Sequence, residues 1–203
     1  MIISVLLYTL LFCSSSFSYR LFSDRTKLQT CSSTQIGFLK GSLINESFYQ
    51  PFLNQLERSL PPSYQVSTVK YFPPVSMKNN TVLIGHSFGG SICLWYYQIE
   101  KLLGLSNIQA CILINSHFNQ RRKMPYPPIN MTSFHIPILV ILTVNDEQLP
   151  LSKTIDDVMF ANENNITNIK FIITQGNHTS RFTEPKQKNE TINQIKKFLF
   201  SLK

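Results

Sequence analysis

The stretch Thr81-Val-Leu-Ile-Gly-His-Ser-Phe-Gly-Gly90 decides the fold of this chain, and the helix-like Ser91-Ile-Cys-Leu-Trp-Tyr-Tyr-Gln98 follows it directly. Its apolar run ends in a G-x-S-x-G pattern, which predicts that Ser87 lies on a sharp turn between a strand and a helix. Ser87 needs a strained backbone there, and side chains at Gly85 and Gly89 would collide with the neighbouring turn. Free N–H groups at the helix start favour negative charge, as an oxyanion formed at Ser87 would require. The alternative is a structural glycine-rich turn.

The pattern resembles the nucleophile elbow of the α/β-hydrolase family, in which an acid and then a histidine follow the serine, each just after a strand. The apolar run 136–145 leads into Asp146. Such a run is typical of a buried parallel strand, whose carboxyl end faces the ligand in open α/β sheets. Asp146 therefore matches the acid position of the family. Glu147 is the local rival, and a solvated turn carboxylate is the other interpretation.

One of the four histidines fits the third position of the family order. His178 lies in a glycine-containing loop after a strand, with Phe182 shortly after it, and this resembles the G-x-H…F loop before the last helix of the family. The resemblance thus implies a triad in which His178 serves as the base for Ser87 and Asp146 orients it. The other histidines are expected to be structural or rim residues, the first of them pointing away from the nucleophile: His86, His117 and His135.

The resemblance also implies two backbone N–H donors that form an oxyanion hole. One donor is Phe88, the residue after the nucleophile, and the other comes from the loop after an early strand, for which residues 35–43 are the candidate. Family members usually have His-Gly in this loop, whereas the chain has Lys40-Gly41. Ser42 is the candidate second donor, and an ordinary turn between a strand and a helix is the alternative.

Length and element order fit one α/β domain at 35–203. The 203 residues can bury the core of one such unit but not of two, and a hydrophobic content of 43% argues against global disorder. Alternating strands and helices predict a parallel sheet. We expect strands at 35–39, 64–71, 81–86, 109–115, 136–144 and 168–174, with helices at 46–59, 88–103, 152–162 and from about 186. Little room precedes Gln35 for the hairpin that opens the family core. The predicted fold class is therefore a reduced, mostly parallel α/β-hydrolase sheet of about six strands, with helices on both faces.

Two segments carry separate predictions. Residues 119–132 are short, basic and proline-rich, and they lie where the family places its lid, so we expect a minimal irregular cap over a shallow or open pocket. A plain surface crossover is the alternative. Residues 1–34 combine an apolar run suited to a signal-peptide core with a basic, hydroxyl-rich stretch, and they predict an N-terminal leader for the secretory pathway. The alternatives are the bipartite plastid leader of an alga, an uncleaved membrane anchor and a buried N-terminal strand.

Charge and cysteines narrow the function classes. The net charge of +8 is spread along the chain without a recognisable nucleic-acid module, so we expect no nucleic-acid partner and consider an anionic membrane surface. No metal-ligand spacing is present, and we expect no cofactor, no metal and no structural disulfide. The sequence predicts a serine hydrolase that cleaves a small-molecule or lipid carboxylic ester through an acyl-enzyme. The alternatives are a thioesterase with the same triad and a non-catalytic binding protein with a hydrolase fold.

Overall fold

The structure, a computed structural model, describes residues 33–71, 77, 80–116 and 131–202. Six strands form one sheet in the order β2-β1-β3-β4-β5-β6, and every neighbouring pair is parallel. The prediction of about six mostly parallel strands is therefore confirmed. The strands are β1 (Thr34–Leu39), β2 (Tyr64–Thr68), β3 (Thr81–His86), β4 (Ile108–Ile114), β5 (Ile138–Thr143) and β6 (Ile169–Thr174).

The helices lie on both faces of the sheet, as predicted, and the last two follow the final strand. They are α1 (Glu46–Ser59), α2 (Phe88–Leu102), α3 (Leu151–Glu163), the short α4 (Ser180–Thr183) and α5 (Pro185–Phe200), with a 3₁₀ helix at Met131–Ser133. Buried side chains of α1, α4 and α5 join one core cluster, and those of α2 and α3 join the other. The strands supply both clusters because successive side chains point to opposite faces, as Ile84 and Leu83 of β3 do.

Strand boundaries agree with the expected ones within a few residues, except at β2. The predicted strand 64–71 ends at Thr68, although Val69 still donates one backbone hydrogen bond to Phe38 across the sheet. The backbone carbonyls of Lys70 and Tyr71 then accept hydrogen bonds from the Tyr96 hydroxyl, at 2.9 and 3.1 Å. A side chain of α2 thus satisfies backbone groups that the sequence pattern assigns to the sheet.

The parallel arrangement brings four chain segments to one edge. Because the strands run in the same direction, the residues that follow β1, β3, β5 and β6 all leave the sheet at its carboxyl edge. Strands β3 and β5 are buried along their whole length, so the segments after them start from fixed positions. The predicted site residues follow these four strands.

Two predicted segments lie outside the described residues. Of the leader, only Ser33 and Thr34 are described, and of the cap only residues 131 and 132 are, so both stay predictions. None of the helices in the described ranges combines the length and the hydropathy needed to cross a bilayer.

Candidate active site

Ser87 occupies the strained turn that the sequence predicts. It follows β3 directly, forms the N-cap of α2 and has φ +52° and ψ −122°, a backbone conformation that costs free energy in any non-glycine residue. A Cβ at Gly85 would overlap the backbone of Gly89 and Gly90, within the same turn. A Cβ at Gly89 would instead overlap the backbone carbonyls at the end of β1, those of Leu39 and Lys40. Gly89 therefore allows the elbow to pack closely against the loop after β1, whereas Gly85 allows close packing within the turn itself.

Asp146 lies just beyond β5 and faces His178. Its Oδ2 is 2.7 Å from Nδ1 of His178, and both side chains are almost completely buried. Its Oδ1 accepts two backbone hydrogen bonds, from the N–H groups of Gln148 and Leu149, each at 2.8 Å. The carboxylate orientation is thus fixed from both sides. Glu147, the local rival, is exposed to solvent, so it is Asp146 that contacts the histidine.

His178 lies beside the elbow with one ring nitrogen unused. Its ring centre is 4.7 Å from that of His86, the residue before the serine. Because Nδ1 donates to the Asp146 carboxylate, Nε2 carries the lone pair in the neutral ring. This Nε2 is buried and has no hydrogen-bond partner among the residues that the structure describes, so no hydrogen bond joins it to Ser87 here. The structure pairs the acid with the histidine and leaves the histidine available to a donor.

The loop of His178 is held by side chains whose contacts with it the sequence does not predict. The backbone carbonyl of His178 accepts two hydrogen bonds. One comes at 2.8 Å from Nδ2 of Asn115, which lies just after β4, and the other comes at 3.0 Å from His86 Nε2. Arg181 is completely buried next to the loop, where Nη2 donates to the carbonyl of Gln175 at 3.0 Å and Nη1 pairs with the Glu190 carboxylate. Burial lowers the pKa of the Arg181 guanidinium, and the Glu190 carboxylate opposes that shift. No local pattern in the sequence predicts these contacts. His86 and Asn115 act on a segment that is distant in sequence, and Arg181 resembles a surface charge.

His86 is buried in the elbow and stays neutral. The sequence predicts that it points away from the nucleophile as a structural residue, and its Nδ1 is 2.7 Å from the hydroxyl of Tyr49 in α1. Burial lowers the pKa of His86 to about 3, reinforced by the neighbouring His178 and opposed by the hydrogen bond to the His178 backbone. At neutral pH this imidazole therefore carries no charge.

The loop after β1 keeps the glycine of the family pattern but is held by different contacts. Lys40 Nζ donates to the carbonyl of Ile44 at 2.8 Å, so the lysine closes its own loop where the family has an imidazole. The N–H of Gly41 donates to the hydroxyl of Tyr49 at 2.9 Å. Ser42 follows in an exposed turn, and Leu43 has φ +62° and a fully exposed side chain. Phe88 is the first residue of α2, so its N–H lacks a partner within that helix.

The sequence also makes predictions about the cysteines, about metal ligands and about the two other histidines. Cys93 and Cys111 are buried free thiols, and burial raises the pKa of each. Within the ranges the structure describes, no three or more His, Cys, Asp or Glu side chains are grouped so that they could hold a metal ion. His135 is exposed, and His117 lies outside the described residues.

Comparison with known proteins identifies the fold. No protein-family model and no curated protein sequence matches the chain. Among solved structures, an esterase/lipase from an uncultured bacterium superposes with a TM-score of 0.63 at 12% identity, covering 84% of this chain and 77% of that one. Polyneuridine aldehyde esterase gives 0.56 at 10% identity over 80% and 99% of the two chains. A thioesterase domain bound to a dodecadepsipeptide gives 0.57 at 13% identity over 80% and 95%. The chain has the α/β-hydrolase fold, shared with esterases, lipases and thioesterases.

Proposed function

We propose that the protein is a serine hydrolase that cleaves carboxylic esters through an acyl-enzyme, with Ser87 as nucleophile. The observation that carries this proposal is the buried hydrogen bond of 2.7 Å between Asp146 and His178, while the lone pair of His178 Nε2, beside the elbow, has no partner in the described part of the chain. A buried acceptor without a donor is costly unless the site uses it. We assign the Ser87 hydroxyl as the donor whose proton this lone pair accepts.

The proposed reaction has two half-reactions. His178 Nε2 takes the proton from Ser87 Oγ as that oxygen bonds to the acyl carbon, and the carbonyl oxygen becomes an oxyanion. The intermediate then expels the alcohol, which receives the proton back from His178, and the acyl group stays on Ser87. Water repeats the sequence and releases the carboxylic acid. Asp146 holds the tautomer of His178 and stabilises its cation.

The missing Ser87–His178 hydrogen bond is compatible with this scheme. Catalytic hydrogen bonds in ligand-free enzymes are often long and tighten only when substrate is bound. The strained backbone of Ser87 also supports the proposal. Strain of this kind persists only where the surrounding structure enforces it, and such residues cluster at active sites.

We assign the oxyanion hole to the backbone N–H groups of Phe88 and Ser42. Phe88 begins α2, where the helix dipole adds partial positive charge. The loop of Ser42 starts at the carbonyls against which Gly89 packs, so the two candidate donors belong to segments in direct contact.

The substrate class rests on the fold and on the chemistry of the triad. Esters and thioesters are attacked by the same machinery, and the structural neighbours include both esterases and a thioesterase domain. We propose a small-molecule or lipid ester as substrate, at an anionic membrane surface in the second case, and retain the thioester as the alternative. A matched pair of acyl ester and acyl thioester substrates with equal chain length decides between them by kcat/KM.

We further propose that residues 1–34 are a leader directing the chain into the secretory pathway, with a plastid of an alga or a membrane anchorage as alternatives. The composition of that segment supports this proposal. A fluorescent fusion of residues 1–34 should leave the cytosol. A fusion that stays cytosolic would contradict it.

Labelling with a fluorophosphonate tests whether the protein is an enzyme at all. The wild type should bind one probe molecule, with the added mass on the peptide that contains Ser87. Ser87→Ala should not be labelled, whereas Ser91→Ala, which removes a serine from the first turns of the same helix, should be labelled normally. A folded wild-type protein that stays unlabelled would support the non-catalytic binding protein instead.

A further inference from the structure

Three buried hydrogen bonds form a chain behind the elbow. The N–H of Gly41 donates to the Tyr49 hydroxyl oxygen at 2.9 Å, and the Tyr49 hydroxyl lies 2.7 Å from His86 Nδ1. His86 Nε2 lies 3.0 Å from the backbone carbonyl oxygen of His178. A carbonyl oxygen only accepts, so Nε2 of His86 carries the proton and Nδ1 accepts from Tyr49. Every donor in this chain points the same way, from the loop after β1 to the loop after β6.

This chain of three hydrogen bonds lies outside the path of the reacting proton. His178 contributes its backbone carbonyl to it, while the ring of His178 faces Asp146. Burial lowers the pKa of His86 to about 3 and raises the pKa of Tyr49, so neither group exchanges a proton near neutral pH. The chain is therefore a fixed connection rather than a switch.

Close packing explains why the connection is short. A Cβ at Gly41 would lie 3.0 Å from His86 Nδ1 and 3.0 Å from the Tyr49 hydroxyl, tighter than ordinary contacts. Glycine at this position lets the loop approach both side chains. The far end is equally constrained, because Asn115 Nδ2 donates to the same His178 carbonyl at 2.8 Å. Buried polar networks in which each member is satisfied hold one arrangement of a core.

We propose that His86 and Tyr49 are positioning residues that tie the loop of His178 to the loop of Ser42. This inference rests on the proposed function, since it concerns the alignment of the proposed base with the proposed oxyanion donor. Neither side chain forms a hydrogen bond with the His178 ring, although the His86 ring packs beside it with the two ring centres 4.7 Å apart. Each acts through the loop that it holds.

Four variants separate positioning from folding. His86→Phe removes both hydrogen bonds of the imidazole, and Tyr49→Phe removes only the hydroxyl. His86→Gln keeps a side-chain amide that can donate to the His178 carbonyl and accept from Tyr49. Tyr97→Phe removes a hydroxyl from another buried tyrosine, which packs against Phe134 on the opposite face of the sheet, and serves as the matched control.

Ester turnover should be measured per active site, counted by fluorophosphonate titration so that misfolded protein is excluded. A loop displaced by about 1 Å can cost about a hundredfold in rate, so His86→Phe should lower kcat by about 10- to 100-fold and leave KM within about threefold. Tyr49→Phe should lower kcat by about tenfold, and His86→Gln should recover most of the loss caused by His86→Phe. Equal kcat values per titrated site in His86→Phe and the wild type would overturn the proposal.

A spectroscopic readout keeps this inference separate from the proposed function. The proton between His178 Nδ1 and Asp146 gives a downfield resonance, which should broaden or shift in His86→Phe and stay unchanged in Tyr97→Phe. If the wild type is inactive, the proposed function fails, yet this resonance still decides whether His86 holds the His178 loop. An unchanged resonance in His86→Phe would contradict the positioning role.

Discussion

The elbow at Ser87 and the loop of His178 reach the same edge of the sheet but are held by different forces. The elbow is fixed by steric contact, because backbone atoms fill the space where side chains of Gly85 and Gly89 would lie. The His178 loop is fixed by hydrogen bonds from three distant elements, through His86, Asn115 and Asp146. Steric control of the elbow leaves a short pattern in the sequence, whereas the hydrogen bonds that His86 and Asn115 donate to the His178 loop leave none. The two regions should therefore respond differently to substitution.

The largest expected effect comes from removing the reacting group of either region. Ser87→Ala and His178→Ala should each lower kcat for a short p-nitrophenyl ester by roughly 10⁴- to 10⁶-fold without loss of folding. If the two regions act as a unit, the double variant should be little worse than either single one. His135→Ala, which removes an exposed histidine, is the control. Losses that multiply in the double variant would mean that the residues do not share one step.

The acid should matter almost as much as the base. Asp146→Asn keeps the size of the side chain but removes the charge and favours the wrong tautomer of His178, so kcat should fall by roughly 10³- to 10⁴-fold. Glu147→Gln changes the exposed neighbouring carboxylate and should leave kcat nearly unchanged. Steady-state kinetics of the two variants side by side measure this difference. An equal loss in both would show that Asp146 has no special role.

Steric control of the elbow should appear as a loss of stability. Gly89→Ala places a Cβ against the carbonyls of Leu39 and Lys40, and the free energy of unfolding should fall by about 3 to 5 kcal/mol. Gly104→Ala is the comparison, since its φ is +71° but no described residue lies within 4 Å of the added carbon, so the cost should be about 1 kcal/mol. Urea unfolding measures both. Similar losses would mean that the elbow tolerates a side chain.

Acid should weaken the hydrogen-bonded region. The pKa of His86 is about 3 in the folded chain, below its ordinary value of 6.5, so its neutral form stabilises the fold fully above pH 6.5 and progressively less as pH falls towards 3. Between pH 6.5 and pH 5 this linkage removes about 2 kcal/mol, at about 1.4 kcal/mol per unit. The groups that face His86 are Tyr49, His178 and Asp146.

Unfolding measured at pH 7 and pH 5 isolates this contribution. His86→Phe should reduce the difference between the two pH values by about 2 kcal/mol, whereas His135→Phe should leave it unchanged. A wild-type stability with the same pH dependence as His86→Phe would show that the buried imidazole does not contribute.

The sequence predicts the fold through features that act locally. Apolar runs identify β3, β4 and β5, and the G-x-S-x-G pattern identifies the turn at Ser87, because strand burial and turn geometry depend on neighbouring residues. The early end of β2 was not predictable, since the Tyr96 hydroxyl that captures its carbonyls comes from another element.

The candidate site divides in the same way. The order of Ser87, Asp146 and His178 could be read along the chain, and the structure brings the last two together. The three hydrogen bonds that connect Gly41 to His178 were not predictable from the sequence. They link residues up to 92 positions apart through side chains that resemble ordinary core residues. Physical contacts across the sheet, rather than any local pattern, assemble that part of the site.

A crystal structure of the phosphonate adduct tests most directly whether the two regions form one site. Phosphorus should be bonded to Ser87 Oγ, and its oxyanion-like oxygen should lie about 2.7 to 3.1 Å from the backbone nitrogens of Phe88 and Ser42. His178 Nε2 should lie within hydrogen-bond distance of Oγ or of a second phosphonate oxygen, with Nδ1 still bonded to Asp146. An adduct in which His178 Nε2 faces away from the phosphonate, or in which another residue is modified, would show that Ser87 and His178 do not form one site.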